Sequence, residues 1–420
     1  FIMIKIGIDN FHDNGTPIDN CNLFRLDKND GWDEYPCDTG FVIQWFVQDE
    51  KIHRRKPRPN RFINKGWYPA QYRYVDTHKE NYFLYPINFK CFINGFNITI
   101  EECWSTDKQH LKTKKTFLDS IPNHVLEKVR NNKAKILLNY GYEGYDENTK
   151  DTILYLSDLL IEKLQDKKIP IENVFYTDGN YQLDNNHSVI KSFSQNYTAN
   201  CFYIEEGEVG SNLSHFKLTE EQIDEKKNVK LEKKYVCYNR LHKPHREQVV
   251  NWIKEKQYLE EGYVSFPPDL ILDYTNFDDN WAYHKICHQH FNTSFFSIVN
   301  ESQFGSYTHT FLTEKTWKAI FNFHPFVIVG SPNSLRYLKE RGFDTFEDIF
   351  DSSYDSIIDK DKRLEKILLT LDNFFKNNNI EKLQKLRDDI YDRLLHNYNH
   401  FWDDFRDYVI EDFNNKIEDI

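Results

Sequence analysis

Two stretches of the sequence bring together side chains suited to holding a phosphorylated ligand. The first is Tyr235-Val-Cys-Tyr-Asn-Arg-Leu-His-Lys-Pro-His-Arg246. A short apolar run leads into a polar, basic loop and then into a helix that tolerates Pro244 near its start. Arg240, His242, Lys243, His245 and Arg246 therefore fall near a helix N-terminus. Free backbone N–H groups and the helix dipole favour anions there, and an arginine can grip two oxygens of a diphosphate at once. The plainer reading of the same stretch is a solvated basic turn.

The second stretch is Ser297-Ile-Val-Asn-Glu301-Ser, followed by Thr313-Glu314-Lys315-Thr316-Trp317. Glu301 directly follows an apolar strand, and Thr313 is a natural N-cap for the next helix. A carboxylate at that helix start can accept hydrogen bonds from both hydroxyls of a ribose, while the adjacent lysine neutralises phosphate. The plainer reading is a capping carboxylate and a surface lysine.

A third candidate is Glu143 in Tyr140-Gly-Tyr-Glu-Gly144, after another apolar run. A carboxylate so placed can act as a base that takes the proton of an attacking hydroxyl, and the flanking glycines let the backbone bend close to a ligand. Asp178, after the next apolar run, is the competing base, Glu301 is the alternative from the other wall of the cleft, and a tight turn with a solvated glutamate is the plain reading. Two clusters resemble metal ligands less well. His284, Cys287, His288 and His290 lack a second Cys/His pair, and Asp278-Asp279 lies in a polar loop rather than after a strand. No metal and no cofactor are expected; arginine, lysine and helix dipole take over the charge role of a metal.

These groups need a framework, and the pattern supplies an alternating one. Lys135–Tyr140 reads as a strand, Thr149–Lys167 as a helix with leucines at helical spacing, and Asn173–Tyr176 as a strand. A second block reads as strand 235–238, helix 244–256, strand 295–299, helix 313–323, strand 325–329 and helix 334–341, with helix from Asp359 onward. The spacing predicts an α/β fold of two Rossmann-like domains facing a cleft, preceded by a strand-rich N-terminal segment. The expected divisions are residues 1–120 for that segment, 121–230 for an acceptor domain and 231–420 for a ligand domain with closing helices. The charge-rich stretch 204–233 reads as a linker between them.

Composition narrows the class. At 420 residues and 16% aromatic content, the chain can build more than one core. A net charge of −12 gives no general attraction to nucleic-acid phosphates, although Arg54, Arg55, Lys56 and Arg58 form a local basic run near Trp67. Seven scattered cysteines read as reduced thiols in a cytoplasmic setting. No run is apolar enough to span a membrane or to serve as a signal peptide. The abundance of Asn, Lys, Ile, Tyr and Phe is that of an AT-rich genome and fits a viral source.

Asn239 with Pro244-His245-Arg246, Ile298-Val-Asn-Glu-Ser302 and Thr313-Glu-Lys-Thr-Trp317 together resemble the donor-binding half of the α1,3-fucosyltransferase family. Phe311–Phe346 is similar to the same region of phage-type glycosyltransferases. The resemblance spans residues 234–350 and implies a GT-B arrangement. It also implies Glu314 for the ribose, Lys315 for a phosphate, Arg246 for the diphosphate and Glu301 facing the donor sugar, with Arg240 and Thr313 beside them. The family's Phe-Glu-Asn-Ser stands here as Asn300-Glu301-Ser302, so neither fucose nor a guanine nucleotide is carried over. The implied activity is inverting, metal-independent transfer of a sugar from a nucleotide-diphosphate donor to a hydroxyl. The acceptor would be a glycan or a hydroxymethylated pyrimidine in DNA. The competing expectations are a non-catalytic module that binds a nucleotide sugar or glycan, and a docking role for the first 120 residues.

Overall fold

The structure, a computed structural model, describes residues 4–8, 10–11, 17–18, 72–89, 116–119, 121–140, 159–178, 191–194, 217–270, 272, 287–305 and 310–418. Its contacts divide the chain into two units, residues 1–197 with 412–420, and residues 198–411. Glu143, Asp278, Asp279, His284 and the basic run around Arg54 lie outside the described residues.

Unit 1 holds one parallel sheet. Its strands are β1 (Ile4–Ile8), β4 (Tyr72–Asp76), β5 (Phe83–Phe89), β6 (Ala134–Tyr140), β7 (Val174–Asp178) and β8 (Lys191–Ser194), in the order β4-β1-β5-β6-β7-β8. Two short segments, β2 (Asn10–Phe11) and β3 (Pro17–Ile18), pair antiparallel with each other. The boundary expected at residue 120 falls inside this sheet, because β5 pairs with β6 from Phe83–Ala134 to Phe89–Tyr140. The strand-rich N-terminal segment thus supplies three of the six strands of the larger sheet. Pro86 lies within β5, where one missing N–H removes a single ladder bond. Helix α1 (Asn123–Arg130) buries Val125, Leu126 and Val129, and residues 159–166 are helical with Leu159, Leu160 and Leu164 buried.

Unit 2 holds the second parallel sheet: β9 (Lys233–Tyr238), β10 (Gly262–Ser265), β11 (Ser294–Asn300) and β12 (Phe326–Val329), in the order β10-β9-β11-β12. All seven residues of β11 and all four of β12 are buried, as expected for strands covered on both faces. The architecture is therefore α/β with two parallel sheets. Part of the stretch expected as a linker is helix α2 (Glu220–Asn228). Its Thr219 and Gln222 form a reciprocal capping box, which fixes a helix start in an otherwise polar run. Further helices are α3 (Pro244–Glu255), α4 (His288–Asn292), α5 (Glu314–Phe321), α6 (Ser334–Glu340), α7 (Lys360–Asn377), α8 (Ile380–Asp389), α9 (Tyr391–Trp402) and α10 (Asp404–Glu418).

Aromatic rings weld these helices to the sheet. Phe296 of β11 meets Phe350 at 5.2 Å and Phe374 of α7 at 5.2 Å, and Tyr235 of β9 meets Phe375 at 5.1 Å between centroids. Trp317 of α5 lies 5.6 Å from Phe401 of α9 and 5.4 Å from Phe405 of α10. Arg363, 1% exposed in α7, donates to the carbonyls of Gly305, Gly330, Ile357 and Ile358. It thereby fixes the chain just beyond β11 and β12. Among the described residues, no helix is long and apolar enough to cross a membrane.

Gly262 sits under the ring of Tyr235, and a Cβ there would come within 2.4 Å of it. We expect Gly262→Ala to destabilise unit 2 by about 1–3 kcal/mol through overpacking. Urea unfolding followed by tryptophan fluorescence would measure the loss; an unchanged midpoint would contradict this packing.

Candidate functional site

In the second sheet the chain passes from β9 outward to β10, then returns to the other side of β9 as β11 and continues to β12. The order is that of a doubly wound sheet, and its direction reverses between β9 and β11. Ligands of such sheets bind outside the carboxyl ends of the strands at that reversal. Here those ends are Asn239 and Asn300. Asn300 Nδ2 donates to Asn239 Oδ1 at 2.9 Å, and Asn239 Nδ2 donates to the carbonyl of Ser265 at the end of β10. Asn300 Oδ1 and Ser331 Oγ are buried without a hydrogen-bond partner among the described residues. Cys237 lies beneath the asparagines; burial pushes its thiol up to about 12, against the two asparagine hydrogen bonds and the Arg246 charge. It is a protonated packing group at neutral pH.

The next residue, Glu301, is 0% exposed. Its carboxylate accepts from the backbone N–H of Thr313 at 3.0 Å, the hydroxyls of Thr313 and Thr316 at 2.5 Å each, and the N–H of Ser302 at 3.3 Å. Its carbonyl accepts from His245 Nε2 at 2.9 Å and Arg246 at 3.1 Å, and its N–H donates to the carbonyl of Val329. One residue thus ties β11 and β12 to the starts of α3 and α5. A Cβ on Gly330 would lie 3.3 Å from Glu301 Cβ and Cγ, so a glycine there leaves room for the stem. The carboxylate expected to face a donor sugar is turned toward the start of α5, while the carbonyl of the same residue holds the start of α3.

The cations around it divide by what they hold. Arg246, 2% exposed, donates to the carbonyls of Glu301 and Leu241, so its guanidinium braces the loop rather than projecting from it. Lys243 Nζ donates to the carbonyl of Ser302 at 2.7 Å. Lys315 Nζ donates to Glu314 Oε1 at 2.8 Å and to Thr313 Oγ1 at 3.0 Å. Arg240, half-buried at the end of β9, has no hydrogen bond or ion pair to any described residue. Helix α3 starts at Pro244 with no side-chain cap on its N–H groups.

Two titrations define the local charge. Burial, aided by the charges of Arg246, Lys243 and Lys315, lowers His245 to about 3, against the pull of its Glu301 hydrogen bond. His245 is therefore neutral at physiological pH, with the proton on Nε2, and is not one of the cations the basic loop suggests. Three cations facing one buried histidine also place the α3 and α5 starts around a common electropositive spot. For Glu314, burial raises the pKa, but Lys315, Lys318, the Lys315 hydrogen bond and a backbone N–H outweigh it and hold the carboxyl at about 2. It is ionised and acts only as an acceptor.

The sequence places Arg240, Lys243, Arg246, Glu301, Thr313, Glu314 and Lys315 in this one neighbourhood; the structure adds Ser331 and joins Asn239 to Asn300. The two asparagines are legible only as polar residues ending apolar strands. The glycine turn Gly330-Ser331-Pro332 leads into α6, but the Asp355 carboxylate already accepts from the N–H groups of Leu335 and Arg336 at 3.0 Å each. Asp178 is the last residue of β7, at the carboxyl edge of the other sheet. His290 of the partial metal motif is packed on Tyr263 at 3.8 Å and bonded to Tyr238. Among the described residues, no group of three or more His, Cys, Asp or Glu could hold a metal. Comparison of the chain with protein-family models, with curated proteins and with solved structures finds no match in any of the three.

Two outcomes follow from this geometry. Glu301→Gln removes a buried charge and turns an NH₂ toward donors that need an acceptor. It should destabilise unit 2 by about 3 kcal/mol, the scale of a lost charged hydrogen-bond set. A thermal melt within about 1 °C of wild type would contradict the clasp.

The second outcome is acid lability. His245 and His324 are both held neutral, at about 3, chiefly by burial. A lowered folded pKa means that stability is complete above the unfolded value of about 6.5 and drains as pH falls toward the folded value, by up to ~1.4 kcal/mol per pH unit for each histidine. Melting temperature should therefore fall between about pH 6.5 and pH 5, before Glu314 begins to protonate. His324→Gln keeps a donor and an acceptor but does not titrate, so its curve should be flatter over that window. Equal slopes would rule out His324 as a source.

Proposed function

We propose that the chain is a glycosyltransferase whose nucleotide-diphosphate donor binds at the carboxyl edge of the second sheet. The observation that carries this reading is the convergence of Lys243 and Arg246 on residues 301–302 beside the β9–β11 reversal, with the charge of Lys315, from the second helix start, acting on the same buried His245. Arg240 and the uncapped N–H groups of α3 would hold the diphosphate, Lys315 a phosphate and Glu314 the ribose. Arg246 and Glu301 would shape the site from beneath. With unit 1 as acceptor domain, the two parallel sheets would form a GT-B pair. In the reaction, the bond from the sugar carbon to the diphosphate oxygen breaks and its electron pair leaves with the diphosphate. The acceptor oxygen bonds the same carbon from the opposite face, and its proton passes to a carboxylate of unit 1, Glu143 or Asp178. Charge on the leaving group is met by arginine, lysine and helix dipole, without a metal. The acceptor hydroxyl belongs to a glycan or to a hydroxymethylated pyrimidine in DNA.

A binding module without turnover is the second reading. It is favoured by the complete engagement of Glu301, a carboxylate buried directly at the site. A thermal-shift screen across UDP, GDP, CMP and dTDP sugars tests the site. A true donor at 100 times its dissociation constant should stabilise the protein by about 2.7 kcal/mol. Arg240→Ala and Lys315→Ala should each weaken that ligand roughly tenfold, the scale of one charge-assisted contact, while the melting temperature of the free protein stays near wild type. No shift with any of the four classes, or undiminished affinity in both variants, would remove the assignment. Release of the nucleotide diphosphate during incubation with acceptor separates the enzyme from the module.

A further inference from the structure

Most of the cations at this site are already bonded, but not to equivalent partners. Lys243 and Arg246 donate to carbonyls, which are neutral and fixed in the backbone. Lys315 is paired with a carboxylate, that of Glu314, at 2.8 Å on side chains about a quarter exposed. An incoming anion can share a carbonyl-bonded cation, whereas at Lys315 it must displace a like charge or sit beside it on the same ammonium. The displaced carboxylate stays at the first position of α5, close to the anion that replaced it. A ligand offering only negative charge therefore gains little there. A ligand that also brings hydroxyl or N–H donors can satisfy the released carboxylate. A second acceptor awaits such donors: Asn300 Oδ1, 1% exposed and without a partner among the described residues, on the residue preceding Glu301.

We propose that Glu314 is a specificity-determining residue, an internal competitor for Lys315 that rejects bare inorganic anions and admits phosphorylated ligands carrying hydroxyl or N–H donors. The proposal rests on the reading of this edge as a phosphate site, and it adds a direction of effect that a simple ribose ligand would not produce. Removing a plain ligand residue weakens binding or leaves it unchanged. Removing a competitor tightens the binding of the anion it competes with.

The test is calorimetric titration of inorganic pyrophosphate, and of UDP, GDP and dTDP, into wild type, Glu314→Gln, Glu314→Ala and Lys315→Ala. Both Glu314 variants should bind pyrophosphate about two- to fivefold more tightly than wild type, the range set by a partly exposed ion pair. They should bind the preferred nucleoside diphosphate no more tightly. The preference for nucleotide over pyrophosphate therefore collapses. Pyrophosphate affinity that is unchanged or weaker in both Glu314 variants, with Lys315→Ala still weakening both ligands, overturns the competitor role and leaves the site standing. Lys315→Ala without effect on either ligand overturns the phosphate site itself. A melt of each variant confirms that it is folded, and the two Glu314 substitutions guard against an effect peculiar to the glutamine amide.

Discussion

The buried carboxylate of Glu301 is the constraint on which the second unit depends. A charge with no exposure must be compensated where it lies, and this one is compensated by two backbone N–H groups and two hydroxyls rather than by a cation. Two of those groups belong to the cap of α5, so the negative charge also sits at the positive end of that helix dipole. The same residue's carbonyl takes the His245 and Arg246 donors from α3. Neither helix start can shift without leaving a buried polar group unpaired, which is more costly than the bond itself was worth. The electropositive spot is therefore built on a rigid base.

Buried cations elsewhere in unit 2 follow one pattern. Lys226 donates to the carbonyl of Asn322, the C-cap of α5, and Arg387 donates to the carbonyls of Asn292, the last residue of α4, and Val229, the C-cap of α2. Arg363 holds four further carbonyls. Carbonyls at helix ends carry partial negative charge and need donors, so Lys226 and Arg387 act as caps, whereas the carbonyls held by Arg363 lie in loops. The arrangement has a cost: burial, with the nearby Arg387 charge, lowers Lys226 to about 7. Against this background Arg240 stands out, because it has no such bond to a described residue.

Much of the framework was legible because local signals agree. β11 and β12 are continuous apolar runs, α5 begins at a threonine cap, and α3 begins at a proline; each was found within one or two residues. The short strands β1, β4, β8 and β10, each of four or five residues, were not. A segment that short becomes a strand through its neighbours, and those neighbours are distant in sequence: β1 pairs with β4 from Ile4–Tyr72 onward. The same non-local pairing carries the sheet of unit 1 across residue 120. The charge-rich stretch before β9 misled for another reason. Polarity signalled a linker, while the Thr219–Gln222 capping box and the burial of Lys226 over Phe323 make a packed helix of it.

At the site, the sequence by itself determined which residues meet. Spacing after the apolar strands and at the helix caps was enough to bring Arg240, Arg246, Glu301, Thr313, Glu314 and Lys315 to one edge. What each of them does there was decided only by the tertiary structure. Arg240 and Arg246 are six residues apart and chemically identical, yet one is half-buried without a partner among the described residues and the other is sealed against two carbonyls. His245 reads as a cation and is neutral; Glu301 reads as a reactive carboxylate and is a clasp. The physical reason is that hydrogen-bond partners and desolvation depend on separations of a few ångströms between segments more than fifty residues apart, such as residues 245 and 301. Local sequence encodes neither quantity.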